Sequence, residues 1–408
     1  MGARRNVRTS GLAGLLAATT ALGLTGCTTS SEARTAPLEA AKPSASVAVT
    51  PAAVTATVTP ADGATDVPTA TELTYAATNG TVSAVELTDS AGGKVDGAAR
   101  PDGSGWLPAR QLKYATRYVA KVTAKSERGG AEATVTSTFT TMAKPAKLIH
   151  VSTQLADDGV YGVAMPVIIN FGSEVPAAQR AAVQSRVLIT SDPPQVGGFH
   201  WFHGKELHFR PREYWQAGTK LTFRVAVGGL PLGANRYGGN DVHVRATIGR
   251  KLVITADNAT KQLTVAQDGQ PPKVVPVSFG KPRTPSSSGH MMIMTRRQSE
   301  IYDSSTVGVP ANSRDGYRMK VYWSQRITWS GQFLHSAPWS VSDQGRRNVS
   351  HGCINLSPTN AEWVYKQTRV GDPVIVTGTE KRVQWGNGWT DWDVPFEEYI
   401  KGSATAAK

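Results

Sequence analysis

The sequence predicts a mainly β protein: two tandem sandwich modules, a third β-rich domain with one short helix, and a tryptophan-rich C-terminal extension. Three observations predict it. Short alternating apolar and polar runs, broken by Asp-Gly and Gly-Gly turns, fill residues 52–249. The spacing of Pro108, Thr116-Arg117-Tyr118 and Val122 recurs at Pro211, Thr219-Lys220-Leu221 and Val225, offset by 103 residues, which is one immunoglobulin-like sandwich in length. Forty glycines and 24 prolines among 408 residues argue against helical solenoids and coiled coils. A hydrophobic content of 40% with 18% charged residues fits a folded chain. The net charge of +13 favours an anionic partner, whether nucleic acid, membrane surface or anionic wall. Two cysteines, Cys27 and Cys353, exclude a disulfide scaffold and any four-thiolate zinc finger.

The N-terminus sets the compartment. Arg4, Arg5 and Arg8 precede an apolar run, 11–24, too short to span a bilayer but suited to a signal peptide core. The run ends in Leu24-Thr25-Gly26-Cys27, which resembles the bacterial lipobox, where small residues precede the cut and the thiol after it is acylated. The expectation is a signal peptide over 1–27, cleavage before Cys27 and lipidation there. The protein is then exported and lipid-anchored to the outer face of the cytoplasmic membrane, facing the wall. Residues 28–51, rich in Ala, Thr, Ser and Pro, read as a flexible tether.

The strands follow in order. Val54–Val58, Val82–Leu87, Tyr118–Val122 and Ala133–Phe139 make the first sandwich, 52–146. Val167–Phe171, Arg186–Thr190, Lys220–Val225 and Val242–Ala246 make the second, 147–250. Neither holds convincing metal spacing, so both read as spacers. In the third domain, 251–378, strands are expected at Leu252–Ala256, Gln262–Gln267, Val274–Phe279, Met291–Thr295, Met319–Trp323, Ile327–Trp329, Gln332–Leu334 and Pro373–Thr377. Ser357-Pro358 opens a helix through Tyr365, serine capping and proline in the first turn. The extension, 379–408, carries Trp385, Trp389 and Trp392. It reads as a short docking helix near the junction of the second and third domains, with a sugar platform as the lesser alternative.

The chemistry concentrates in one constellation. Phe333-Leu-His335-Ser-Ala-Pro-Trp339 precedes Asn348-Val-Ser350-His351-Gly352-Cys353-Ile354-Asn355. An unpaired thiol on an exported chain is either buried and inert or kept for reactivity. A free thiol is only a few per cent ionised at neutral pH, so a nucleophilic cysteine wants a neighbouring imidazole, and His335 and His351 are the candidates. Were 351–353 extended, His351 and Cys353 would project to one side, and Gly352 would let a carbonyl approach the amides of Gly352 and Cys353 as an oxyanion hole. Competing readings are zinc held by His335, His351 and Cys353, which lacks an evident fourth ligand, and a structural cysteine.

This His, then Ser-His-Gly-Cys-x-Asn, resembles the signature of the L,D-transpeptidases (YkuD-type catalytic domain), from about Lys251 to Thr377. Lipobox, two immunoglobulin-like modules and catalytic domain together resemble actinobacterial, including mycobacterial, members. The resemblance implies Cys353 as nucleophile, His335 as base, the Ser336 carbonyl orienting His335, and His351 positioning the thiolate. It implies Asn355 holding the loop, with Ser350, Tyr317, Ser330, Gly331, Trp339, Asn355 and Tyr302 on the substrate side, and a mobile lid over 302–323. It implies peptidoglycan stem tetrapeptides as donor and acceptor, 3→3 cross-links through a thioester with D-alanine released, and carbapenem β-lactams as covalent inhibitors. No cofactor, metal or nucleic acid enters. L,D-carboxypeptidase activity and a non-catalytic wall-binding lipoprotein are the alternatives.

Overall fold

The computed structural model describes residues 53–100, 103–127, 131–313 and 316–405. The signal segment, Cys27 and the whole tether lie outside the described residues. Among the described residues no helix is long and apolar enough to cross a membrane.

The first immunoglobulin-like sandwich is built by alternation. In the strand Arg117–Ser126, Tyr118, Ala120, Val122 and Ala124 point into the core while their neighbours face out. This strand pairs antiparallel with Gly80–Asp89 and Glu132–Thr140, opposite a second sheet of Thr55–Thr59, Leu73–Thr78, Gly105–Pro108 and Gly97–Ala99. The second sandwich repeats the pattern: Lys220–Val225 buries Leu221, Phe223 and Val225, the positions 103 residues on from Tyr118, Ala120 and Val122. Each fully buried apolar side chain contributes about 1.5–3 kcal/mol, so the repeated stripe stabilises the core, not one loop.

The third region pairs two sheets. One has the order Lys273–Pro276, Gln262–Gln267, Leu252–Asp257, Pro373–Thr377, Ser287–Met292, Lys381–Arg382. The other has the order Thr295–Asp303, Arg318–Arg326, Phe333–Ser336, Ile354–Leu356. The helix Pro358–Gln367 is capped by Ser357 Oγ, which accepts from the Asn360 amide at 3.3 Å, and buries Ala361 and Val364 in the core with Leu334 and Ile354.

Four local expectations change. Met291–Thr295 is not one strand: the chain leaves one sheet after Met292 and enters the other at Thr295, because Ile293 and Met294 are both buried and cannot alternate. Ile327–Trp329 is a turn approach, since Thr328 spends its hydroxyl on the Gln332 amide. The segment 302–323 is not one loop: it holds the ends of two paired strands, Thr295–Asp303 and Arg318–Arg326, with their connection between. A helix not foreseen, Ala177–Gln184, lies in the second sandwich, its alanines giving no strong apolar period.

The C-terminal extension packs down. Trp389 joins the buried cluster of the second sandwich beside Met292 and Met294, and Trp392 donates its indole N–H to the Ala164 carbonyl at 2.8 Å. The Arg210 guanidinium stacks 4.4 Å over Trp392 and 4.6 Å over Tyr399. His208 bridges two carboxylates, Asp391 at Nδ1 and Glu206 at Nε2, both at 2.8 Å. Gly162 packs against Gly371 and Asp372, where a Cβ would stand 2.2 Å from the Asp372 nitrogen, and the Gly162 amide donates to the Val370 carbonyl. Second sandwich and third region are thereby stitched backbone to backbone.

Candidate active site

Parallel pairing of Phe333–Ser336 with Ile354–Leu356 sets the site. Leu334 registers with Ile354 and His335 with Asn355, so His335 and Asn355 emerge side by side, immediately after Cys353. His335 Nδ1 donates to the Ser336 carbonyl at 2.9 Å. That bond fixes the tautomer with the proton on Nδ1 and leaves Nε2 as a basic lone pair. Burial holds the His335 imidazole down to about 4, against the hydrogen bonds to the Ser336 carbonyl and the Asn355 side chain. Asn355 Nδ2 also donates to Ser340 Oγ at 3.1 Å, pinning its amide.

Cys353 is 8% exposed. Burial pushes its thiol up to about 12, only partly offset by the Phe333 amide and the Arg326 charge. Its S–H donates to the Gly331 carbonyl at 3.8 Å. Both members of the pair are therefore neutral at rest, thiol and imidazole. The low dielectric around them disfavours either ion.

The chain around Gly352 turns and is not extended. Gly352 has φ +121°, a backbone conformation that L side chains rarely adopt. Ser350 Oγ clasps the turn, accepting from the Gly352 amide at 3.1 Å and donating to the Cys353 carbonyl at 2.6 Å. The Gly352 amide is thus engaged by a hydroxyl, and His351 and Cys353 do not project as a strand pair: His351 is exposed and Cys353 is buried. Lys281 Nζ lies 3.0 Å from His351 Nε2.

Two cavities meet here. The smaller, of about 250 Å³, is lined by Cys353, His335, Asn355, Ser350, Trp339 and Met319. The larger, of about 600 Å³, is lined by Ser330, Gly331, Phe333, Thr284, and the cations Lys281, Arg283 and Arg326 against Glu300 and Asp303. Tyr302, Tyr317 and His351 line both. Cys353 lines the smaller cavity, and its S–H reaches the carbonyl of Gly331, a residue that lines the larger. Tyr302 is buried, its hydroxyl 2.8 Å from Ser324 Oγ and its ring edge-on to His335 at 5.2 Å. Trp339 is 54% exposed at the mouth, 6.0 Å from the His335 ring.

The residues expected from sequence thus converge, though Ser350 and Asn355 spend their side chains holding the loop and the base. Sequence reasoning passed over Ser286, whose hydroxyl donates to the Gly352 carbonyl at 2.8 Å and accepts from the Gly280 amide. It passed over Lys281 and Asn387 too. These three stand 34 to 72 residues from Cys353, and no local pattern marks them. Among the described residues no group of three His, Cys, Asp or Glu side chains is arranged to hold a metal ion.

Comparison with known proteins fits this geometry. A family described as the L,D-transpeptidase catalytic domain matches residues 251–376, and a bacterial Ig domain family matches residues 64–231. L,D-transpeptidase 2 of Mycobacterium tuberculosis (strain CDC 1551 / Oshkosh) is 40% identical over 354 residues, covering 86% of this chain and 85% of that protein. L,D-transpeptidase 5 of Mycobacterium tuberculosis (strain ATCC 25618 / H37Rv) is 36% identical over 364 residues, covering 87% of this chain and 78% of that one. A solved complex of the L,D-transpeptidase LdtMt1 with imipenem is 34% identical, covers 57% of this chain and 100% of its own, and has a TM-score of 0.49. With a relative this similar over this much of both chains, the protein belongs to the L,D-transpeptidase family.

Proposed function

We propose that this chain is a peptidoglycan L,D-transpeptidase that forms 3→3 cross-links through a thioester on Cys353. The observation that carries the reading is a buried thiol and a buried imidazole, its Nδ1 held by the Ser336 carbonyl, lining one cavity. A tetrapeptide stem enters with the carbonyl of its third, diamino residue at Cys353. His335 Nε2 takes the thiol proton as sulfur attacks the carbonyl carbon. The tetrahedral oxyanion collapses, the bond to D-alanine breaks, and His335 returns the proton to the leaving amine. The side-chain amine of a second stem then attacks the thioester, His335 removes its proton, and the thiol is regenerated. The Cys353 amide is the proposed oxyanion donor. The Gly352 amide joins only if Ser350 releases it.

A thioester on a sulfur as buried as Cys353 suits transfer over hydrolysis, since water attack competes with the acceptor amine. The same sulfur is the proposed site of acylation by carbapenems, whose strained ring replaces the peptide bond as acyl donor. We further propose export and lipidation at Cys27, which would hold a basic chain of about +10, the signal arginines removed, beside an anionic wall.

The test is incubation of the purified chain with stem tetrapeptide and analysis of products by mass. Cross-linked dimer with free D-alanine is expected, and Cys353→Ala abolishes it. Tripeptide without dimer would make the chain a carboxypeptidase, and dimer formed by Cys353→Ala would remove sulfur from the mechanism. Cys27→Ala is expected to move the protein from membrane to medium.

A further inference from the structure

We propose that Asn387, in the C-terminal extension, is a positioning residue for acyl transfer at Cys353, acting through the turn 328–332. The proposal rests on the functional reading above and assigns part of the tryptophan-rich extension to the site itself.

The turn is the wall that faces the sulfur. It is closed by the Ile327 amide on the Gln332 carbonyl at 2.9 Å and by the Gln332 amide on Thr328 Oγ1 at 3.0 Å. Gly331 sits at φ +90°, and its carbonyl accepts the Cys353 S–H. Ser330 and Gly331 line the larger cavity. Where this carbonyl stands therefore decides where the thiol proton rests, and where a donor peptide can lie.

Within the turn Ser330 Oγ meets Thr328 Oγ1 at 3.2 Å, and from outside Asn387 holds Ser330 at both ends. The Ser330 amide donates to Asn387 Oδ1 at 2.9 Å, and Asn387 Nδ2 donates to Ser330 Oγ at 2.8 Å. A primary amide is suited to this, carrying acceptor and donor on one rigid plane. The grip is itself supported. The Asn387 amide donates to the Gln384 carbonyl at 2.9 Å and the Gly386 amide to Thr390 Oγ1 at 2.8 Å. Gly388 approaches so closely that a Cβ would meet Met294 Sδ at 3.0 Å and the Ile327 carbonyl at 3.1 Å. Trp389 then meets Trp329 edge to face at 6.4 Å. Asn387 is half-exposed and outside the main core, so its removal changes the turn without opening a cavity.

The test compares the full chain with Asn387→Ala and Asn387→Asp, measuring Cys353 acylation by imipenem from intact mass, Cys353 alkylation by iodoacetamide, and thermal melting. Asp keeps an acceptor for the Ser330 amide and offers a second to its hydroxyl, which rotates to donate. Asn387→Ala is expected to acylate about tenfold more slowly, a barrier increase of about 1.4 kcal/mol. Its melting should stay within about 2 °C of the parent, and Asn387→Asp should recover to within about threefold. Acylation by Asn387→Ala at the parent rate would overturn the proposal, as would a rate loss that follows a fall in melting temperature and is not rescued by Asp. A parent chain that is alkylated yet never acylated would instead sink the functional reading. Alkylation rates then decide the positioning claim by themselves: a threefold or larger change in Asn387→Ala supports it, and equal rates overturn it.

Discussion

At the residue scale, burial controls the chemistry of the sulfur. The sequence offers His335 as the base for Cys353 and leaves open whether the two rest as ions. Burial favours the neutral pair, thiol pushed up to about 12 and imidazole down to about 4. Ionisation of the thiol with and without the base differs in pH dependence. With His335 as a neutral general base, its competent form is present above about pH 5 and lost as pH falls through about 4. The acylation rate of the chain by imipenem should be nearly flat from pH 6 to 8. A thiolate formed only by the thiol's own ionisation, with no help from His335, would make the rate climb about tenfold per pH unit over that range. Gly352 gives a second expectation. Space exists for a methyl group there, the nearest atoms being 3.8 Å away, but φ +121° does not suit an L residue. Gly352→Ala should cost about 1–3 kcal/mol of stability by thermal melting and slow acylation beyond that, because Cys353 is the next residue. His335, Gly352 and Cys353 were legible in sequence because the motif is local. Ser286, Lys281 and Asn387 were not, because only the folded sheet pairing brings them within reach.

At the scale of elements, alternation found most strands and failed where burial stops alternating. Lys220–Val225 alternates and was read to the residue, whereas Ser287–Met292 has both faces covered and offers no period to read. Ile327–Trp329 looks like a strand by composition, and its β-branched and aromatic residues are diverted into a turn by one threonine hydroxyl. The docking of the extension is an element-scale event with a pH signature. Burial alone would lower His208, but Asp391 and Glu206 outweigh it and lift the imidazole to about 9. A raised folded-state value means the stabilisation is complete below about pH 6.5 and is lost as pH rises through about 9, the unfolded chain having released its proton earlier. Melting temperature should therefore fall between pH 7 and 10. In His208→Gln, which leaves Asp391 buried without its cation, stability at pH 7 should drop by about 3 kcal/mol and this alkaline slope should flatten.

At the scale of the whole molecule, the tandem repeat was visible as a 103-residue offset, but the joints were not. Glu72 of the first sandwich pairs with Arg186 of the second, whose Nε lies 2.7 Å away; within the modules Glu72 also holds Arg100, and Asp241 holds Arg224 at 2.8 Å. Arg224 and Arg186 also donate to the carbonyls of Pro108 and Ala70 across the same joint. Charged residues scattered over 170 positions carry no sequence pattern, yet together they tie the modules into one strut. Glu72→Ala leaves two half-buried guanidiniums facing each other and should loosen that strut: faster amide exchange at the joint, with the acylation rate at Cys353 unchanged. The most direct measurement is an acid-quenched intact mass, with peptide mapping, taken within the first turnover on stem tetrapeptide. A mass increase equal to the tripeptide acyl group, mapped to Cys353, is expected; product forming while Cys353 stays unmodified at every quench time would contradict it.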